Sequence, residues 1–180
     1  MEPTVFTIGH SNHRLERFLE LLKLHSITAV GDVRSSPYSR YNPQFNREPL
    51  DRDLGDVGIA YVYLGKELGA RSEDPACYES GRVQYNRART ELFQGGLDRV
   101  QAGMKNYRLA LMCAEKEPLG CHRTILVSRH LSARGVHVTH ILAKWRIGKP
   151  CRQFGADDSN AGASGKRPVS LPPGAALGRV

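Results

Sequence analysis

No apolar run in the sequence approaches the ~20 residues needed to span a bilayer, so no transmembrane helix is expected. The N-terminus, MEPTVFTIGH, lacks a basic segment followed by an apolar one. No secretory signal is therefore predicted, which leaves the cytoplasm as the default compartment. Cysteine is scarce: Cys77, Cys113, Cys121 and Cys151 are the only four in 180 residues. A disulfide-framed secreted domain would be shorter and richer in cysteine, so reduced thiols are the expectation. The sequence has no internal repeat and no Walker or dinucleotide-binding glycine signature. It also has no run of five or more basic residues, which removes the strongest sequence mark of a nucleic-acid-binding tail.

Basic residues are nevertheless in excess, with a net charge of +8. Residues 148–180 hold five Lys/Arg and two Asp, or +3, which leaves +5 for residues 1–147. Such a balance favours anionic partners, either a small phosphorylated molecule or nucleic acid; solubility alone is the competing explanation. No membrane partner is expected, and the oligomeric state is open.

Hydrophobic periodicity divides the chain into strands and helices in alternation. Strands are predicted at Val5–Ile8, Thr28–Val33, Ile59–Leu64, Leu109–Cys113 and Val136–Leu142. Leu15, Phe18, Leu19 and Leu22 mark one helical stripe, and Ser11 or Asn12 is placed to cap it. A second helix carries Pro49 in its first turn, then Leu50, Leu54 and Val57, and ends at Gly58. Residues 65–84 show no clear period, as in a functional loop, a lid or an unrecognised short helix. A helical pattern from about Tyr85 includes Ala88, Leu92 and Phe93, is interrupted at Gly95-Gly96, and resumes through Leu97, Val100 and Met104, as two short helices or one bent one. A further helix starts near Cys121-His122-Arg123 and stops at Gly135. The predicted fold is one three-layer α/β domain over 1–147, with a roughly five-stranded, mostly parallel sheet. A flexible tail rich in Gly, Ala and Pro is expected over 148–180.

In such a fold the strands' carboxyl ends share one edge, where ligands bind. That edge would collect His10, Ser11, Asp32, Arg34, Ser36, Arg40, Cys113, Glu115, Cys121, His122 and Arg123, with His140 a further contributor. Arg34, Arg40 and Arg123 offer paired donors to a phosphate or carboxylate; Arg34 has an alternative as a structural tie to Asp32 or Glu115. Asp32 and Glu115 suit acid–base work, and His10 titrates near neutrality in water. Cys121 beside His122, Arg123 and a helix start has the surroundings of an activated thiol, although a free cysteine is commonly a small buried side chain. Cys113 is placed in the core. The seven-residue gap between Cys113 and Cys121 falls outside the two-to-four spacing of zinc knuckles, so no metal is assigned and no cofactor signature is read. Tyr38, Tyr41 and Phe45 beside Arg34 and Arg40 either stack bases or pack their loop, and packing is favoured.

Several segments then resemble one family in matching order: TIGHS at 7–11, DVRSSPYSR at 32–40, GIAYVYLGKELG at 58–69, LMCAEKEPLGCHR at 111–123 and HVTHI at 137–141. By these motifs the chain resembles domain-of-unknown-function family 488 (DUF488) over about residues 4–142. The resemblance implies a compact α/β domain and marks the edge residues above as site residues, without supplying a reaction. Gly31 is the one departure, standing where a larger aliphatic residue is more usual. Three functions follow as expectations. The first is an enzyme acting on a phosphorylated or nucleic-acid-derived substrate, with Glu115, Asp32, His10 and Cys121 at the chemistry. The second is a non-catalytic nucleic-acid-binding module. The third is a thiol- or zinc-dependent protein.

Overall fold

The computed structural model describes residues 3–71, 78–79, 82–83 and 90–142. Cys77, Cys151, the helical pattern expected from Tyr85 up to residue 89, and the tail expected from residue 148 lie outside them. Five parallel strands form one sheet: β1 (Thr4–Gly9), β2 (Ala29–Asp32), β3 (Ala60–Tyr63), β6 (Leu109–Cys113) and β7 (His137–Ile141), in the order β3-β2-β6-β1-β7. Two short strands, β4 (Tyr78–Glu79) and β5 (Arg82–Val83), pair antiparallel elsewhere. The helices are α1 (Leu15–Leu24), α2 (Arg47–Gly55), α3 (Gly65–Leu68), α4 (Glu91–Gly103) and α5 (Arg129–Ala133). A π-helical segment, Arg123–Ser128, leads directly into α5. No helix among the described residues is long and apolar enough to cross a membrane.

Successive strand residues point to opposite sheet faces, and the core divides accordingly. Phe6, Ile8, Val30, Ala110 and Met112 pack with Phe18, Leu21 and Leu22 of α1 and with Leu50 and Leu54 of α2. Val5, Ala29, Leu109, Leu111 and Cys113 pack with Leu68 of α3, Leu97 and Val100 of α4, and Leu126, Val127 and Leu131 beyond β6. Helices thus cover both faces, which is why β6 is buried along its whole length and reads as a continuous apolar run.

Two local expectations need correction, and one open reading is decided. Neither Ser11 nor Asn12 caps α1; the helix begins at Leu15, with Arg14 at its N-cap and no side-chain cap. The stretch from Gly65 opens as the short helix α3, the unrecognised short helix among the readings open for 65–84. Gly95-Gly96 does not interrupt α4, which runs unbroken from Glu91, capped by the Thr90 hydroxyl accepting from Phe93 N. Gly96 is there for contact: a Cβ would lie 2.6 Å from Glu67 Cβ and 2.8 Å from Leu68 Cδ2. The glycine lets α3 and α4 approach, and Leu92, expected on the apolar stripe, is 56% exposed. Gly31 also has a packing reason, since Leu64 and Leu111 already fill its side-chain space, 3.0 and 3.1 Å from where a Cβ would stand.

Candidate active site at the carboxyl edge of the sheet

β1 and β6 are neighbours, and their onward connections leave in opposite directions. β1 passes over β6 to reach β2, whereas β6 passes over β1 to reach β7. The gap between them is the switch point at which open α/β sheets bind ligands. Pairing continues past the strand ends, with His10 N donating to Cys113 O and Ser11 N to Ala114 O, both at 2.9 Å. Ser11 turns the chain away in the left-handed region, at φ 49°.

One buried polar string runs from β3 to β1. Asp32 accepts from the Arg34 backbone N at 3.0 Å, from Arg34 Nε at 2.9 Å and Nη2 at 2.6 Å, and from Tyr61 OH at 2.8 Å. Arg34 also donates to Phe45 O at 2.8 Å and bonds His10 Nε2 through Nη1 at 3.2 Å. A guanidinium only donates, so Nε2 of His10 is the acceptor. The proton therefore sits on Nδ1, which donates to Ser11 O at 2.8 Å. The ring stacks on Phe45, with centroids 4.4 Å apart. The alternative raised for Arg34, a tie to Asp32, is the observed geometry. Phe45 packs, as expected, whereas Tyr38 and Tyr41 of the same loop are exposed.

This environment keeps His10 neutral. Burial first, and the neighbouring Arg34 second, lower its pKa from 6.5 to about 4. Between those values the unfolded chain binds the proton and the folded chain does not, so stability falls as pH drops through that window. The full loss attributable to this group is about 3 kcal/mol. His10→Gln, which keeps an acceptor for Arg34, should flatten the pH 4–6.5 dependence of the urea-unfolding free energy by that amount. An unchanged slope would place the titration elsewhere.

The second cluster lies where β6 ends. Cys113 Sγ is 3.6 Å and Cys121 Sγ 3.9 Å from the same atom, His122 Nδ1. His122 Nε2 lies 3.0 Å from Val33 O. A carbonyl only accepts, so Nε2 carries hydrogen and Nδ1 faces the two sulfurs. A hydrogen bond from Cys121 pulls the Cys113 pKa down, with His122 adding to it, and the same bond pushes Cys121 up. Burial opposes a charge on His122, but the Cys113 contact and the Val33 carbonyl outweigh it and raise its pKa. Cys113 is 4% exposed and Cys121 is fully buried.

Arg123 stands at the expected helix start but is fully buried. It donates to Ile8 O at 3.3 Å, Glu115 O at 2.6 Å and Lys116 O at 3.3 Å, tying the loop after β6 onto the end of β1. Its Nε has no partner, and no carboxylate pairs with it among the described residues. Ser36, Arg40 and the Glu115 side chain are exposed. Arg40 lies over the Tyr41 ring at 4.8 Å and donates to Tyr41 OH at 2.6 Å.

The structure therefore brings together His10, Asp32, Arg34, Cys113, Cys121, His122 and Arg123, with Ser11 at their margin. It does not join Ser36, Arg40 or the Glu115 side chain to them by any hydrogen bond. Sequence reasoning missed Tyr61, which completes the Asp32 shell, and the carbonyls of Val33 and Phe45. Tyr61 was legible only as a strand aromatic, and a main-chain acceptor leaves no signal in residue type.

Fold and geometry together define a parallel α/β domain with a buried dithiol–imidazole cluster at its switch point. Within that class the chain belongs to the family described as Domain of unknown function DUF488, whose sequence model matches residues 14–130. TIGHS and HVTHI, two of the resembling segments, fall outside the matched residues. No curated protein and no solved structure matches the chain.

Proposed function

We propose that the protein is an enzyme acting on a small nucleotide-like substrate at the carboxyl edge of the sheet, with Cys113, Cys121 and His122 as its reactive centre. The observation that carries this reading is the convergence of two thiols on one imidazole nitrogen, at 3.6 and 3.9 Å, beside the switch point. Two sulfurs meeting one histidine nitrogen form a perturbed-pKa cluster of the kind that marks reaction sites. Asp32, Arg34 and His10 are the frame that positions the loops, not the acid, base or anion clamp. Substrate holding passes to the exposed groups of the loops leaving the same edge. Tyr41 is 76% exposed and Tyr38 54%, which leaves aromatic faces for a base. Arg40, Lys116 and the Ser36 hydroxyl are exposed donors for a phosphate.

Calorimetric titration with AMP, GMP, CMP and UMP tests the reading. At least one should bind, and Tyr41→Ala should weaken it by about tenfold, the loss of one base stack at 1–3 kcal/mol, with an unchanged melting temperature. Binding by none of them, or binding indifferent to Tyr41→Ala, contradicts the assignment. The exposed Arg40–Tyr41 pair also favours a second reading, a non-catalytic module for single-stranded nucleic acid. That module would bind an oligonucleotide with affinity falling steeply with salt and would be insensitive to Cys113→Ser.

A further inference from the structure

We propose that Cys113, Cys121 and His122 form a zinc site, binding the ion through two sulfurs and imidazole Nδ1 and leaving its fourth position open. Three observations lead there. First, Zn–S near 2.3 Å and Zn–N near 2.0–2.1 Å at tetrahedral angles set sulfur and nitrogen about 3.6 Å apart. The two separations here are 3.6 and 3.9 Å, and all three ligand atoms lie within 4.8 Å of one another. Second, Nδ1 is free of any backbone partner and faces both sulfurs, because Nε2 is the nitrogen engaged with Val33 O. A ligating histidine characteristically gives its other N–H to such a carbonyl, which fixes tautomer and ring angle. Third, the set is soft, two sulfurs and one imidazole, which suits zinc over magnesium or calcium.

The seven-residue gap that argues against zinc in the sequence loses its force here. It describes a knuckle, in which both cysteines sit on one tight turn. In this protein Cys113 ends a strand and Cys121 precedes a helix, and Arg123 draws the intervening loop back onto β1. Long-range folding replaces the short spacing. The described residues supply no fourth protein ligand to the cluster. Two thiolates also neutralise the dication, so the site adds no net charge beside the buried Arg123.

Elemental analysis of the full chain, purified without chelator, should find close to one zinc per chain. After chelation, Co2+ should restore a thiolate-to-cobalt charge-transfer band and tetrahedral d–d bands. Cys113→Ser, Cys121→Ser and His122→Asn should each weaken the metal by more than about tenfold, whereas Cys77→Ser and Cys151→Ser should leave it unchanged. Because the cobalt spectrum is read on the unaltered chain, it decides the matter even where a variant fails to fold. Absence of both retained zinc and thiolate–cobalt bands overturns the proposal, as does equal loss in Cys77→Ser or Cys151→Ser. Zinc without nucleotide binding would leave this inference standing and remove the substrate assignment above.

Discussion

Asp32→Ala is expected to cost about 3–5 kcal/mol of folding stability, as removing one partner of a buried ion pair does. The carboxylate is fully buried, and the guanidinium it neutralises is 6% exposed. With Asp32 gone, Arg34 keeps the Phe45 carbonyl and the His10 nitrogen, neither of which carries a negative charge. Tyr61 OH and the Arg34 backbone N–H lose their acceptor in the same step. Asp32→Asn should cost less, because one oxygen remains to accept, and Asp32→Ala combined with Arg34→Met should recover part of the loss by removing the stranded charge. Urea unfolding of the three proteins measures this. A loss below about 1 kcal/mol for Asp32→Ala would mean that water reaches the pair, contrary to its burial.

Gly9→Ala is expected to cost about 1–3 kcal/mol, the range for overpacking, and to open the site. A Cβ on Gly9 would overlap the Glu115 carbonyl oxygen and stand 2.8 Å from Arg123 Nη1. The loop after β6 would have to lift from β1. Arg123 would then lose the carbonyl it holds most closely, and the His10 and Ser11 amides their acceptors on Cys113 and Ala114. Hydrogen exchange at those two amides should accelerate along with alkylation of Cys113. Gly95→Ala is the control: a Cβ there meets nothing within 4 Å, and in a helix interior the change should stabilise by up to about 1 kcal/mol. Unchanged exchange at His10 and Ser11 in Gly9→Ala would show that the loop is not held by this contact.

The alternation of apolar strands and amphipathic helices was legible because burial imposes a period on residue type. All five strands of the parallel sheet fall where the periodicity predicts, within one or two residues at their ends. Gly135 follows the C-cap of α5 and Gly58 closes the turn after α2, both in the left-handed conformation, at φ 78° and 75°. Gly95-Gly96 was misread because a glycine that permits close packing has the same letter as one that breaks a helix. The convergence of the loops followed from topology, since parallel strands put their carboxyl ends on one edge. What could not be read was the state of the charged groups there. Arg34, Arg40 and Arg123 look alike in sequence, yet one is spent on a carboxylate, one is exposed, and one is spent on three main-chain oxygens. Only partners remote in the chain decide which, and most of those partners are backbone atoms.

The claim on which the rest depends is that the loops after β1, β2 and β6 form one ligand site around Cys113, Cys121 and His122. Backbone amide chemical-shift mapping during titration with the tightest-binding nucleotide tests it most directly. The account predicts that shifts concentrate at Ser11, at residues 34–41 and at residues 113–123, and that they move together along one binding curve. Shifts confined to the amino edge of the sheet or to the outer surfaces of α1 and α4, with these three segments unmoved, would contradict it.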